Sequence, residues 1–138
     1  MTANNTILQA NDDGTLGFGN YTLAHKTKRD DFELAGDIYK VKTFKEMTKL
    51  EKNGMFVYES VPGSQVESFK MEVLETSFLL SALEDVQCIL ELEPNQSYEI
   101  LIEGLSIGHM TTNVSGKLVI SVELVPRQKT LVQIMKRM

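Results

Sequence analysis

The side chains that could do chemistry in this sequence are few and scattered. Cys88 is the only cysteine, so an intrachain disulfide and a cysteine-based zinc cluster are both excluded. It lies in the apolar run Cys88, Ile89, Leu90, with no histidine or cation nearby in sequence, and is expected to be a buried, inert thiol. His25 and His109 are the only histidines. They do not form an HxxxH spacing, and two cannot complete a three-histidine zinc site. His109, between Gly108 and Met110, reads as a structural residue of a short strand. No serine occupies a GxSxG elbow, so acyl transfer lacks its nucleophile.

Gly17-Phe18-Gly19-Asn20 contains the GxG of a phosphate loop, but Tyr-Thr-Leu follows it where a helix N-terminus would be needed. Asn11-Asp12-Asp13-Gly14 crowds oxygen donors together without the alternating ligands and distal Glu of a calcium loop, and reads as a hairpin turn. Glycoside hydrolysis needs two carboxylates at a set separation, yet Glu91, Glu93, Glu99, Glu103 and Glu123 fall in the polar phase of amphipathic strands. The expectation is no catalytic residue, no metal and no cofactor. Sugar recognition through stacked rings has four tyrosines to draw on. Tyr39 and Tyr98 fall in the inward phase, which leaves Tyr21 and Tyr58 as candidate ligand-binding residues, provided that they are exposed.

The chain of 138 residues has the size of one domain, residues 1–138. With 14 Lys plus Arg against 19 Asp plus Glu, the net charge is −5. That balance disfavours a nucleic-acid partner, which needs a basic footprint. Residues 1–11 lack the basic and apolar regions of a secretory signal, and no run approaches ~20 apolar residues. A cytoplasmic chain without a membrane span is expected. On that reading the four Asn-x-Ser/Thr sequons at Asn4, Asn20, Asn95 and Asn113 are chance matches. Of the seven Met residues, Met138 is expected at the surface.

The elements that would position these residues are strands. Residues 7–10 and 15–18 flank the Asp13-Gly14 turn, and residues 21–24 continue the pattern. Residues 25–31 are polar and read as a solvated loop; residues 32–35 form a strand before a turn at Gly36-Asp37. Tyr39 and Val41 alternate with Lys40 and Lys42. Asn53-Gly54 suits a type I′ turn between residues 47–51 and 56–59, and a two-residue turn sets Leu50 opposite Val57 and Lys49 opposite Tyr58. Residues 76–86 can be drawn as a short helix, but neighbouring strands favour residues 77–80 as a strand. Cys88, Leu90 and Leu92 share a face, as do Tyr98, Ile100 and Ile102, and then Leu118, Ile120, Val122 and Leu124. The whole predicts an all-β, antiparallel two-sheet sandwich of about eleven to thirteen strands with little or no helix. Its core should hold Leu90, Leu92, Tyr98, Ile100, Ile102, Leu118, Ile120, Val122 and Leu124.

Residues 88–136 resemble the C-terminal β-sandwich modules of polysaccharide lyases and glycoside hydrolases. The likeness rests on the strand at Leu90, the Pro94 turn, the strand at Tyr98, Gly104, and the strand that starts at Gly116. The chain also resembles short bacterial proteins labelled endosialidase. No sialidase residue carries over, because Arg29, Arg127 and Arg137 are its only arginines. The resemblance implies a sandwich and raises glycan binding as an alternative. The leading expectation is a non-enzymatic structural or protein-interaction module that self-associates through its sheet edges. A carbohydrate-binding module is the alternative, and a glycosidase-related protein the third.

Overall fold

A computed structural model describes residues 7–137. Asn4 and Met138, singled out above, lie outside the described residues. Among those residues the chain forms thirteen strands and no helix. One sheet has seven strands, in the order β1 (Leu8–Ala10), β2 (Leu16–Phe18), β7 (Gln65–Met71), β8 (Glu75–Ser81), β13 (Thr130–Lys136), β10 (Ser97–Ile102) and β11 (Leu105–Thr111). The other has six: β12 (Lys117–Val122), β9 (Val86–Glu91), β6 (Met55–Val61), β5 (Met47–Lys52), β4 (Asp37–Phe44) and β3 (Thr27–Leu34). Every pairing is antiparallel. The expected all-β sandwich is what the chain adopts, and residues 75–81 are strand rather than helix.

Side-chain alternation decides which face of each strand goes inward. On β12, Leu118, Ile120 and Val122 are buried, whereas Lys117, Val119 and Ser121 point to solvent. Of the nine expected core residues, seven are buried; Leu92 and Ile102 are partly buried and pack against the same cluster. The two sheets meet in an aromatic group. Tyr58 of β6 packs edge-to-face on Phe18 of β2 at 5.2 Å between ring centroids, and on Phe78 of β8 at 5.8 Å.

The hairpin of β5 and β6 turns as its sequence demands and then departs from the expected register. Asn53 and Gly54 have φ of 53° and 79°, the double positive φ of a type I′ turn. Asn53 is anchored from both sides: its Oδ1 accepts the Ile38 N–H at 2.9 Å, and its Nδ2 donates to Asp37 Oδ1 at 2.9 Å. Lys52 faces Met55 and Glu51 faces Phe56, but Leu50 faces Tyr58 rather than Val57. Val57 is an extra residue in β6, and such a bulge flips every later side chain to the opposite face. Tyr58, expected at the surface opposite Lys49, is therefore fully buried, and Lys49 faces Glu59.

Three other local expectations are corrected. Residues 21–24 form turns and bends, not a strand. Residues 27–31, read as a loop, belong to β3; as an edge strand, β3 is paired on one side only, so its charged side chains keep their water. The β3–β4 turn is Ala35-Gly36, with φ of 53° and 87°, one residue ahead of the expected Gly36-Asp37.

The two flanks of the sandwich differ. On one, β1 is only three residues long and β3 carries Lys28, Arg29, Asp30, Asp31 and Glu33. A bulge between Arg29 and Phe32, with Asp31 at φ 55°, twists β3. Arg29 Nη1 donates to the Leu8 carbonyl at 3.0 Å, tying the two edges together. On the other flank, β11 bears no Asp, Glu, Lys or Arg, and β12 bears only Lys117.

A β-branched residue fits the left-handed region poorly, while a Cβ on Gly54 would meet open space. Gly54→Val should therefore destabilise by about 1–2 kcal/mol, lowering Tm by roughly 3–8 °C. Gly63→Ala should lower Tm further, because its Cβ would collide with the Phe44 carbonyl oxygen. Calorimetry of the two variants checks both the size and the order.

Candidate functional site

The connections that carry the chain between sheets are fastened by buried hydroxyls. Residues 62–64 lead from β6 in the six-stranded sheet to β7 in the seven-stranded one. There Thr48 Oγ1 accepts the Ser64 N–H at 3.0 Å and donates to the Ser64 carbonyl at 2.9 Å. Thr48 has only one proton, so across the β4–β5 pair Thr43 must donate to it, at 2.8 Å. Thr43 Oγ1 in turn accepts the Asn20 N–H at 2.9 Å, holding the connection from β2 to β3. A second chain of donors runs beneath. Ser60 donates to the Pro62 carbonyl at 3.0 Å, so Ser64 donates to Ser60 at 2.6 Å and Tyr58 donates to Ser64 at 2.8 Å. Cys88 Sγ, 3.6 Å from the phenol oxygen, then supplies the last, weak donor. Among the described residues every buried side-chain nitrogen and oxygen has a partner. These hydroxyls fasten the backbone of the connections between the sheets.

Above the network lies a cleft of about 460 Å³, walled by Tyr21, Val61, Pro62 and Leu83 and rimmed by Lys45, Glu46 and Glu84. Tyr21, 9% exposed, presents only part of its ring. Tyr58, at 0%, lies beneath and lines no part of the cleft, so the structure does not bring the two candidate tyrosines onto one surface. Sequence reasoning missed Thr43, Thr48, Ser60 and Ser64. The available signal was phase: Thr43 shares a face with Val41, and Thr48 with Leu50, both buried.

The other candidates are soon placed. Asp13 Oδ1 accepts the Thr15 N–H and hydroxyl, holding a hairpin turn, and these bonds keep its carboxyl below the usual range. Gly19 lets its backbone approach the Ser64 carbonyl, where a Cβ would collide. His25 and His109 are exposed, and His109 Nε2 contacts Arg137 Nη1. Glu72, Glu75, Glu91 and Glu93 border a hollow of about 240 Å³ beside Tyr98. Glu93 is paired with Lys136, whose ammonium pKa this bond raises. No group of three or more His, Cys, Asp or Glu among the described residues is arranged to hold a metal.

The second distinctive surface is the flank formed by β11 and β12. In β11, Ile107 is the extra residue where the register with β10 shifts, and it is 50% exposed. Ile102, Ile107, Ser121, Val122 and Glu123 line a hollow of about 410 Å³. β12 pairs with β9 without a bulge, from Lys117–Glu91 to Val122–Val86. Leu92 N–H donates to the Gly116 carbonyl at 2.7 Å, so Leu118, Ile120 and Val122, which follow in the same phase, turn their backbone groups toward β9. Lys117, Val119 and Ser121 turn theirs away. Those of Lys117 are met within the chain: its N–H donates to Asn113 Oδ1 at 2.9 Å, and its carbonyl accepts the Asn113 N–H at 3.3 Å. Val119 and Ser121 present theirs at the sheet edge. Comparison with protein-family models, curated proteins and solved structures finds no match to this chain.

Two outcomes follow from the buried network. Thr48→Val keeps the volume but strips both backbone partners from Ser64, and should cost about 2–4 kcal/mol in a urea titration. Tyr58→Phe, which leaves Ser64 bonded to Ser60, should cost only about 1–2 kcal/mol. Burial pushes the Cys88 thiol up to about 12 from its ordinary 9.0. The unfolded chain then loses this proton first as pH rises, so the Cys88 contribution to stability is intact below pH 9 and declines from about 9 to 12. A thiol reagent at pH 8 should label Cys88 only after denaturation.

Proposed function

We propose that the protein is a non-enzymatic interaction module that pairs with proteins, including second copies of itself, along the flank of β11 and β12. The observation that carries this reading is the contrast between the two flanks. β1 and β3 bear the ordinary defences of sheet edges, namely shortness, charge, a bulge and a tie between layers. β12 lacks them: it is regular, carries a single charge, and keeps Val119 47% exposed. An undefended edge offers backbone hydrogen bonds to any extended strand, the mode of recognition known as β-augmentation. A glycan-binding reading keeps one supporting observation, the Tyr21 wall of the cleft. It predicts glycan-array hits that Tyr21→Ala abolishes.

Sedimentation velocity at micromolar concentration should show a species larger than the monomer. Placing charges on both edges with Ile107→Lys and Val119→Lys should return the monomer. Both positions are half-exposed, so stability should change by no more than about 0.5 kcal/mol for each. A strict monomer for the unaltered chain would remove self-association from the reading.

A further inference from the structure

We infer that two copies of this chain join through β12 about a two-fold axis at Ile120, continuing their six-stranded sheets into one of twelve strands. This inference rests on the edge-pairing reading above and names the strand, the partner and the register. Antiparallel pairing of β12 with itself must set inward residues opposite inward ones, which leaves two central registers, about Val119 or about Ile120. The backbone groups already described separate them. Centred on Val119, the hydrogen-bonded positions are Val119 with Val119 and Lys117 with Ser121. The Lys117 groups are taken by Asn113, so two intermolecular bonds remain. Centred on Ile120, Val119 exchanges both its bonds with Ser121 of the other copy, and Ser121 does the same with Val119. Four bonds form without disturbing a bond within either chain.

Side chains select the same register. The outward row reads Lys117, Val119, Ser121, Glu123, with Glu123 keeping the exposed phase one residue beyond the strand end. About Ile120 the paired stretch ends where Asn113 sits beside Lys117, and the Glu123 side chain of each copy extends past it toward the Lys117 ammonium of the other, giving two opposite-charge pairs related by the axis. About Val119 the row sets Lys117 opposite Ser121 and leaves Glu123 without a cation. The Ile120 register also brings the two exposed Val119 side chains into diagonal contact, beside Ile89, the cross-strand neighbour of each within its own chain. Lys117 already has Glu91 across the strand pair and lies over the Phe56 ring at 5.1 Å, so its extended position costs little to keep. The contact is isologous and closes at two copies.

The test is a charge exchange read by sedimentation equilibrium on the whole chain. Glu123→Lys, an exposed change, should weaken dimerisation at least tenfold, and Lys117→Glu should do the same. The double variant Lys117→Glu/Glu123→Lys should recover the affinity of the unaltered chain to within about threefold, because both pairs are restored with signs reversed. Circular dichroism melts of each variant establish that it is folded, and the recovery in the double variant excludes misfolding as the cause of the losses. Should Glu123→Lys dimerise as well as the unaltered chain while Ile107→Lys/Val119→Lys does not, the Ile120 register is overturned and the interaction-module reading stands. A strict monomer for the unaltered chain overturns the dimer in either register and removes self-association from the reading above.

Discussion

Antiparallel sheets close into a sandwich only if the chain can leave one sheet and enter the other without stranding backbone polar groups, and here that problem is met by a few buried threonines. Thr48 satisfies both backbone groups of Ser64 where β6 hands over to β7, and Thr43 holds Asn20 where β2 hands over to β3. At the opposite end Thr112 does the equivalent work, donating to the Glu93 carbonyl at 2.5 Å and accepting the Gln96 N–H at 3.0 Å. A loop crossing the end of a sandwich cannot use ladder hydrogen bonds, and each unmet buried group costs on the order of 1–3 kcal/mol. A threonine in the inward phase adds a donor and an acceptor to a β-branched side chain that suits a strand. The aromatic packing of Tyr58, Phe18, Phe69 and Phe78 follows from this closure, because the layers must meet before their rings can.

The fold was largely legible in the sequence because most strands keep a clean period of two. Leu118, Ile120 and Val122, or Tyr98 and Ile100, could face only one way. Legibility failed where the period breaks. Val57 and Tyr58 are both apolar enough to be buried, so nothing in their types announces that β6 accommodates an extra residue between them. That single insertion carried Tyr58 from an imagined sugar platform to the centre of the core. β3 was misread for a different reason: hydrophobic alternation reports burial, and the charged side chains of an edge strand remain in water.

The candidate site was less legible still. Tyr21 was singled out by ring type and phase, on condition that it was exposed; it is largely buried and shows one part of its ring in a cleft assembled from residues 21, 45–46, 61–63 and 83–84. Their proximity is a product of sheet topology and leaves no mark in local sequence. The character of β12 as an edge is also invisible locally, since its alternation would serve equally well in the middle of an antiparallel sheet. It depends on strand order, and on whether Asn113 caps the outer backbone groups of Lys117.

The inequality between the flanks has a consequence for the size of any assembly. A sandwich with two bare flanks has a valency of two and polymerises by repetition, as fibres do. One bare flank opposite a flank sealed by Arg29 and the charges of β3 gives each protomer a valency of one. Under the proposed pairing, growth would end with the first encounter, and raising the concentration would fill more pairs without lengthening any of them.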